Sequence, residues 1–295
     1  MKIAVLGRRL EGENAARAAR FVRMLSSKGA SLCYRNLFID RMKAAGEPLP
    51  EGGMFFSWKD FPSDVDLVLA LGGDGTFLSS LSFILDRPVP VAGINFGHLG
   101  FLASKDASAD TDALTDDILG GRYTVQEREV LKVESAASTD EFVPFALNEI
   151  SFQRAQGSGI LSIDISIDGK PLPTYWADGI ILATPTGSTA WSLSLGGPVV
   201  TPGSKVITIT PIASHNLSVR PLVVPMSSVV DVTVISEKGS ILMAADNRQV
   251  GWQRICRARV SAAPFALQYI SLSDNNFINA LQTKFHWGED SRNNF

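Results

Sequence analysis

Cysteine and histidine are scarce in this chain, which has two cysteines and three histidines among its 295 residues. Cys33 and Cys256 are far apart in the sequence, which argues against a disulfide framework and favours the reducing cytoplasm. His98, His215 and His286 show no ligand spacing with one another or with the cysteines. A structural zinc site is therefore not expected.

Long hydrophobic runs and an excess of one charge are also absent. No apolar stretch approaches the length of a membrane-spanning helix, and the one at residues 2–7 is too short for a signal peptide. The formal net charge is −3 and the isoelectric point is near 5.7, so no basic field attracts nucleic acid. We therefore expect a soluble cytoplasmic protein that binds neither nucleic acid nor membranes.

The hydrophobic pattern changes along the chain and predicts two domains. Residues 1–122 alternate short apolar strands with helical patterns, which is typical of a Rossmann-like parallel α/β domain. Residues 123–269 contain many short strands with period-two alternation, which indicates a β-sandwich-like domain. A helical pattern returns within residues 270–295, and we expect this C-terminal helix to pack back on the first domain.

The most informative segment is residues 66–76, which read DLVLALGGDGT. Its apolar run predicts a buried strand, and the residues after it fall at helical spacing. Between the two lies a turn formed by Gly72, Gly73, Asp74, Gly75 and Thr76. A glycine turn at a helix N-terminus exposes backbone N–H groups that bind phosphate. The carboxylate of Asp74 would then take a proton or help to hold a metal ion, although a tight turn with Asp74 as a helix cap is the simpler interpretation.

Three later segments carry further candidates. Residues 93–102 contain three glycines after a strand and offer either a turn or a second backbone surface facing the same crevice. Asn148 and Glu149 lie in an apolar strand, where they are either exposed strand positions or a pair that grips a ribose. Residues 184–191 concentrate hydroxyl groups and glycine after another strand, more than helix capping requires.

These segments together resemble the NAD kinase family. The family shows a Gly-Gly-Asp-Gly-Thr turn, a Gly-His-Leu-Gly-Phe segment, an Asn-Glu pair and an Asp-Gly…Thr-Pro-Thr-Gly-Ser-Thr-Ala-Tyr stretch in this order. All four occur between residues 72 and 198, and residues 211–225 and the tail around His286 and Trp287 are similar to the family as well. The glycine turn alone is shared with lipid kinases and phosphofructokinase-type kinases.

The resemblance implies a role for each matching residue. Asp74 would accept the proton of the adenosine ribose 2′-hydroxyl of NAD as that oxygen attacks the terminal phosphate of ATP, giving NADP. Gly72, Gly73 and Thr76 would form the phosphate turn. The expected NAD-binding residues are Gly75, Phe101, Asn148, Glu149, Asp178 (near the nicotinamide), Thr186, Thr189, Ala190 and Ser194. The resemblance also implies Mg²⁺ with ATP and a homodimer or homotetramer whose pockets a neighbouring subunit completes.

Two positions depart from the family pattern, and two other functions stay open. Trp191 replaces the usual tyrosine and keeps a stacking surface without the hydroxyl. Asp246 stands where the family has Asp-Gly-Gln, but Asn247 and Arg248 follow it. Trp191 and Asp246 are therefore further candidates for the pocket. The alternatives are a lipid or sugar kinase that shares the glycine turn, or a non-catalytic NAD or NADP sensor.

Overall fold

The computed structural model describes residues 1–96, 100–103, 105–106, 110–135, 142–272 and 277–285. Two features used above lie outside these ranges: residues 97–99 of the second glycine segment, and the tail around His286 and Trp287.

Nineteen strands and six helices are formed by the described residues. The strands are β1 (Lys2–Gly7), β2 (Ser31–Arg35), β3 (Gly53–Phe55), β4 (Leu67–Leu71), β5 (Val91–Asn95), β6 (Lys105–Asp106), β7 (Thr124–Arg128), β8 (Leu131–Ser135), β9 (Phe145–Ala146), β10 (Glu149–Arg154), β11 (Leu161–Ile167), β12 (Lys170–Pro171), β13 (Tyr175–Ala177), β14 (Gly179–Ala183), β15 (Val206–Ile212), β16 (Leu222–Pro225), β17 (Val230–Ala245), β18 (Arg248–Ala262) and β19 (Leu267–Ser271). The helices are α1 (Gly12–Ser27), α2 (Asn36–Ala44), α3 (Asp74–Ile84), α4 (Thr111–Leu119), α5 (Trp191–Ser194) and α6 (Phe277–Phe285).

The chain divides into two compact units, the first formed by Met1–Gln126 with Gln268–Phe295 and the second by Glu127–Leu267. In the first unit the strands follow the order β3-β2-β1-β4-β5-β19-β7, with β6 paired to β5. Neighbouring strands from β3 to β19 run parallel, and β7 carries the chain from the first unit to the second. This is the predicted Rossmann-like sheet.

Strand β4 is central to that sheet because it pairs with β1 on one side and β5 on the other. All five of its residues are buried, as the uninterrupted apolar run predicts for a strand covered on both faces. Ala15, Ala18 and Ala19 fall at helical spacing and predict one apolar helix face, which α1 buries against the sheet. The helix ends before Gly29, whose φ of 94° favours glycine.

The predicted return of the C-terminal helix to the first domain is confirmed. The ring of Phe101 lies 6.2 Å from that of Phe277 and 5.3 Å from that of Phe285, so both ends of α6 contact the segment that follows β5. Among the described residues, no helix is both long enough and apolar enough to cross a bilayer.

The second unit is an antiparallel, sandwich-like sheet of eleven strands with the order β16-β15-β14-β10-β17-β18-β8-β9, to which β11, β12 and β13 are added through β17. The sequence pattern predicts separate strands at residues 229–235 and 241–245, but β17 runs continuously from Val230 to Ala245. The polar residues between them form an irregularity in the pairing with β18 between Ile235 and Ser240 instead of a chain-reversing turn. A bulge of this kind bends a strand without ending it.

Candidate functional site

The carboxylate of Asp74 is fixed by three successive backbone amides. Its Oδ2 accepts a hydrogen bond from the amide of Phe101 at 2.8 Å, and its Oδ1 accepts from Leu102 at 3.0 Å and Ala103 at 2.9 Å. The cap of α3 is Gly73, and no side chain accepts a hydrogen bond there. The interpretation of Asp74 as a helix cap is therefore wrong, because its carboxylate is directed at residues 101–103 instead.

The segment that holds Asp74 needs glycine at two positions. A Cβ on Gly100 would lie 1.7 Å from Oδ1 of Asp74, and a Cβ on Gly93 would lie 2.6 Å from the carbonyl oxygen of Leu102. The two glycine segments are thus in direct contact. The amides of residues 101–103 bind the carboxylate of Asp74. The expectation that this segment offers a second free backbone surface to a ligand is therefore wrong for these amides.

The backbone of the glycine turn is open where a phosphate would bind. Gly72 has a φ of 136°, and a Cβ there would lie 2.9 Å from the hydroxyl of Thr76. Gly73 and Gly75 are exposed, and a Cβ on either would meet no atom within 4 Å. The N-terminus of α3 therefore offers backbone N–H groups to an anion, as the sequence predicts.

The distribution of the three amides leaves Asp74 able to bind a substrate proton. Oδ1 accepts two hydrogen bonds, which fills its acceptor positions, whereas Oδ2 accepts one. Asp74 is half-buried, so the remaining acceptor position of Oδ2 is available to a hydroxyl group. This geometry suits a fixed general base.

A second aspartate plays a similar part in the second unit. Asp246 lies in the turn between β17 and β18 with a φ of 51°, and its side chain is fully buried. It accepts hydrogen bonds from the amides of Leu147 at 3.0 Å, Asn148 at 2.8 Å and Glu149 at 3.3 Å. The guanidinium of Arg248 lies 3.5 Å from the same carboxylate. Asp246 is thus a structural anchor for the Asn-Glu pair.

The Thr-Pro-Thr-Gly turn is joined to the same pair. The amide of Thr184 donates to the carbonyl of Asn148 at 2.9 Å, and its hydroxyl accepts from the amide of Gly187 at 3.1 Å. A Cβ on Gly187 would lie 2.1 Å from the carbonyl oxygen of Asn148, so only glycine fits there. Residues 147–149, 184–187 and 246 therefore form one cluster.

This cluster contains polar atoms that nothing in the described chain satisfies. Oδ1 of Asn148, Oε2 of Glu149 and Oγ1 of Thr186 are buried without a hydrogen-bond partner. Asn148 is only 8% exposed, so the interpretation of this residue as an exposed strand position is wrong. An unsatisfied buried polar group costs about 1–3 kcal/mol. Three of them in one cluster indicate a polar ligand that supplies the missing partners.

Glu149 is the group in this cluster with the most perturbed ionisation. Burial, and to a lesser degree the charge of Asp246, raise the pKa of Glu149 to about 8. Burial also raises the pKa of Asp246, while Arg248 and the three amides act in the opposite direction. At neutral pH the Glu149 carboxyl is therefore largely protonated and offers a ligand a hydrogen-bond donor as well as an acceptor.

The remaining predicted residues divide into two groups. Thr189 and Ala190 are half-buried beside the cluster, as is Trp191 at the start of α5, whereas Ser194 is exposed. Asp178 lies at the opposite end of β14 and pairs with Arg154 at 2.7 Å. The five residues of β14 lie between it and Thr184, so six strand steps place the two residues about 20 Å apart. Within one chain the structure does not bring Asp178 to the Asn-Glu pair.

Asp178 instead borders a cavity of about 350 Å³ that Arg154 and Gln153 also line. Sequence reasoning did not identify Arg154, Gly100 or Gly187 as part of a site. Gly100 and Gly187 lie inside the motifs quoted above, so the sequence offered a way to identify them. Arg154 is a single arginine in a strand, and nothing in the sequence marks it.

Comparison with known proteins assigns both halves of the chain. Residues 3–123 match the ATP-NAD kinase N-terminal domain, and residues 147–272 match the ATP-NAD kinase C-terminal domain. The chain is similar to the NAD kinase of Bacteroides fragilis, with 35% identity over 99% of this chain and 100% of that protein. The chain is also similar to the NAD kinase of Flavobacterium psychrophilum, with 32% identity over 99% of this chain and 100% of that protein.

Two solved structures share the fold. The crystal structure of yeast NADH kinase complexed with NADH has a TM-score of 0.85 at 23% identity, covering 98% of this chain and 88% of that one. The crystal structure of an NAD kinase from Archaeoglobus fulgidus in complex with ATP has a TM-score of 0.70 at 23% identity, covering 95% of this chain and 96% of that one.

Replacement of Gly100 by alanine tests the contact that fixes Asp74. The added Cβ overlaps Oδ1 of Asp74, so the carboxylate must move away from the amides. We expect Gly100→Ala to raise the hydrogen-exchange rates of Leu102 and Ala103 by at least about tenfold, the loss of roughly 1.4 kcal/mol of protection. Gly203→Ala is the control, because a Cβ there meets no atom within 4 Å. Unchanged exchange in Gly100→Ala contradicts the contact.

The raised pKa of Glu149 predicts a pH-dependent stability. A carboxyl whose pKa rises from 4.5 unfolded to about 8 folded contributes stability below pH 4.5 that is lost as the pH rises through 8. Glu149→Gln cannot lose a proton, so its free energy of unfolding relative to the parent should increase by about 1 kcal/mol or more between pH 5 and pH 8. Urea unfolding at both pH values measures this difference. A difference that does not change with pH contradicts the buried carboxyl.

Proposed function

This chain belongs to the NAD kinase family, and we propose that it transfers the terminal phosphoryl group of ATP to the adenosine ribose 2′-hydroxyl of NAD, giving NADP. The observation that carries the proposal is the set of buried, unsatisfied polar atoms on Asn148, Glu149 and Thr186. They lie in the two segments that match the family most specifically, and a ribose or an adenine supplies the donors and acceptors they need.

The proposed reaction divides its tasks between the two units. Residues of the second unit hold the acceptor: Asn148 and Glu149 grip ribose hydroxyls, while Thr186, Thr189, Ala190, Trp191 and Ser194 shape the nucleotide surface. In the first unit, Oδ2 of Asp74 takes the 2′-hydroxyl proton while the ribose oxygen bonds to phosphorus and the bond to the departing ADP breaks. Gly72, Gly73, Gly75 and Thr76 receive the phosphates, and Phe101 lines the pocket beside Asp74.

Magnesium enters this proposal as part of the substrate. No group of three or more acidic, histidine or cysteine side chains suited to a metal occurs within the described ranges. The described residues thus fit a metal that arrives with the phosphates of ATP better than a resident ion, and such a metal neutralises phosphate charge during transfer. The two structural neighbours are complexes with NADH and with ATP, which supports a dinucleotide acceptor and ATP as donor.

The other functions explain less of the site. A lipid or sugar kinase that shares the glycine turn leaves the polar atoms of Asn148, Glu149 and Thr186 without partners. A sensor of NAD or NADP has no use for a carboxylate held beside a phosphate-binding turn. The cytoplasm is the compartment we propose, since Cys33 and Cys256 are both free, buried thiols.

Asp74→Asn tests the proposed base. We expect turnover to fall by roughly 10²–10⁴-fold, the usual contribution of a positioned acid or base, while NAD still binds. Asn148→Ala should instead weaken the binding of NAD more than the binding of ATP, because the variant loses hydrogen bonds to the ribose worth about 0.5–1.5 kcal/mol each. NADP formation and equilibrium binding of NAD measure the two effects.

The control for this experiment is Asp110→Asn, since Asp110 only caps α4 and asparagine caps equally well. Circular dichroism must show that Asp74→Asn is folded, because an asparagine places an NH₂ group against one of the three amides. A folded Asp74→Asn protein that forms NADP at close to the parent rate rules out the proposed role. A parent protein that forms no NADP from NAD, ATP and magnesium rules out the function itself.

We also propose a homodimer or homotetramer. Strand β16 ends the order of the second sheet, and Val223 on it is 45% exposed; Trp176 on β13 is also 45% exposed. Exposed apolar edge strands are usually covered. The distance of Asp178 from the Asn-Glu pair in one chain is also consistent with a role of Asp178 toward a neighbouring subunit. Light scattering at micromolar concentration should show at least twice the chain mass, and a monomer would contradict the assembly.

A further inference from the structure

Lys284 lies close to the proposed base, and its ammonium group has no carboxylate in direct contact among the described residues. It is in the last turn of α6, and its Nζ lies 4.3 Å from the centre of the Phe101 ring. The amide of the same Phe101 donates to Oδ2 of Asp74 at 2.8 Å. Phe101 therefore contacts the ammonium group of Lys284 with its ring and the carboxylate of Asp74, the proposed base, with its amide.

The ammonium group is half-buried but is not neutralised by direct contact. No carboxylate among the described residues approaches its Nζ within 4.0 Å, and no described hydrogen bond uses its three donors. Burial lowers the pKa of Lys284, while the charge of Asp74 acts to raise it. A favourable helix-end position alone does not explain this placement, because an exposed lysine would gain the same effect without desolvation.

The proposed reaction needs a cation at this place. The transferring phosphoryl group carries its negative charge on three oxygens, and it must approach a carboxylate that repels it. Magnesium bound to ATP neutralises part of this charge, but it does not offset the repulsion by Asp74 at the acceptor side. A lysine held on the ring beside Asp74 supplies a compensating charge with free N–H donors.

We propose that Lys284 is a catalytic residue whose ammonium group binds the oxygens of the phosphoryl group as it passes from ATP to the ribose. This inference rests on the proposed function. The ammonium group lies over the ring of Phe101, and those of its N–H donors that do not face the ring would bind the phosphoryl oxygens. The ligand class is the terminal phosphate of a nucleoside triphosphate, and the same contact applies to the end of an inorganic polyphosphate.

Lys284→Met removes the charged group over the ring of Phe101 and keeps a long, unbranched side chain at this position. We expect kcat to fall by about 10²–10³-fold, the usual cost of removing one preorganised donor to a developing charge, with the KM for NAD changed less than about threefold. Lys284→Arg restores the charge and should recover at least about a tenth of the parent kcat. The matched control is Gln282→Met, which places the same side chain on an exposed position of the same helix.

A binding measurement separates this proposal from the function on which it rests. The parent protein should bind inorganic tripolyphosphate in calorimetry, and Lys284→Met should bind it about tenfold more weakly, whether or not the parent forms NADP. Unfolding midpoints of Lys284→Met and the parent should agree. If Lys284→Met does not fold, Lys284→Gln, which keeps a polar end, takes its place.

Three results would overturn the role of Lys284. One is a kcat of Lys284→Met within threefold of the parent. Another is unchanged tripolyphosphate binding in that variant. The last is an equal loss in Lys284→Met and Lys284→Arg together with a lowered unfolding midpoint, which would show that Lys284 only packs against Phe101.

Discussion

A carboxylate that accepts hydrogen bonds from three successive backbone amides is the interaction on which the candidate residues of each unit depend. In the first unit Asp74 binds the amides of residues 101–103, and in the second Asp246 binds those of residues 147–149. Charged acceptors make such hydrogen bonds about twice as strong as neutral ones. Each aspartate thereby fixes a short segment that lies outside the helices and strands, except for Glu149 at the start of β10.

The two anchors differ in burial, and this difference decides their chemistry. The side chain of Asp246 is fully buried, so its carboxylate is confined to holding backbone and to raising the pKa of its neighbour Glu149. Asp74 is half-buried and keeps one acceptor position on Oδ2. The same structural device is therefore a scaffold in one unit, while in the other it leaves an acceptor position open on the proposed base.

The local part of this structure could be predicted from the sequence, whereas the long-range part could not. The apolar run before Gly72, the amphipathic face of α1 and the change to period two are local patterns, and the structure confirms all three. The partners of Asp74 are 27–29 residues away and those of Asp246 are 97–99 away. Nothing in the composition of a turn shows which distant amides it will meet, so Asp74 resembled a helix cap and Asn148 an exposed position.

The residues after Asp246 depart from the family pattern, but they leave the anchoring role of Asp246 intact. The three amides bind the Asp246 carboxylate, and this contact does not involve the side chain of Asn247. Arg248 lies 3.5 Å from that carboxylate and opposes its charge. Burial, and to a lesser degree the charge of Asp246, raise the pKa of Glu149. The backbone that presents Asn148 and Glu149 is therefore fixed by Asp246, and the departures at Asn247 and Arg248 do not remove those hydrogen bonds.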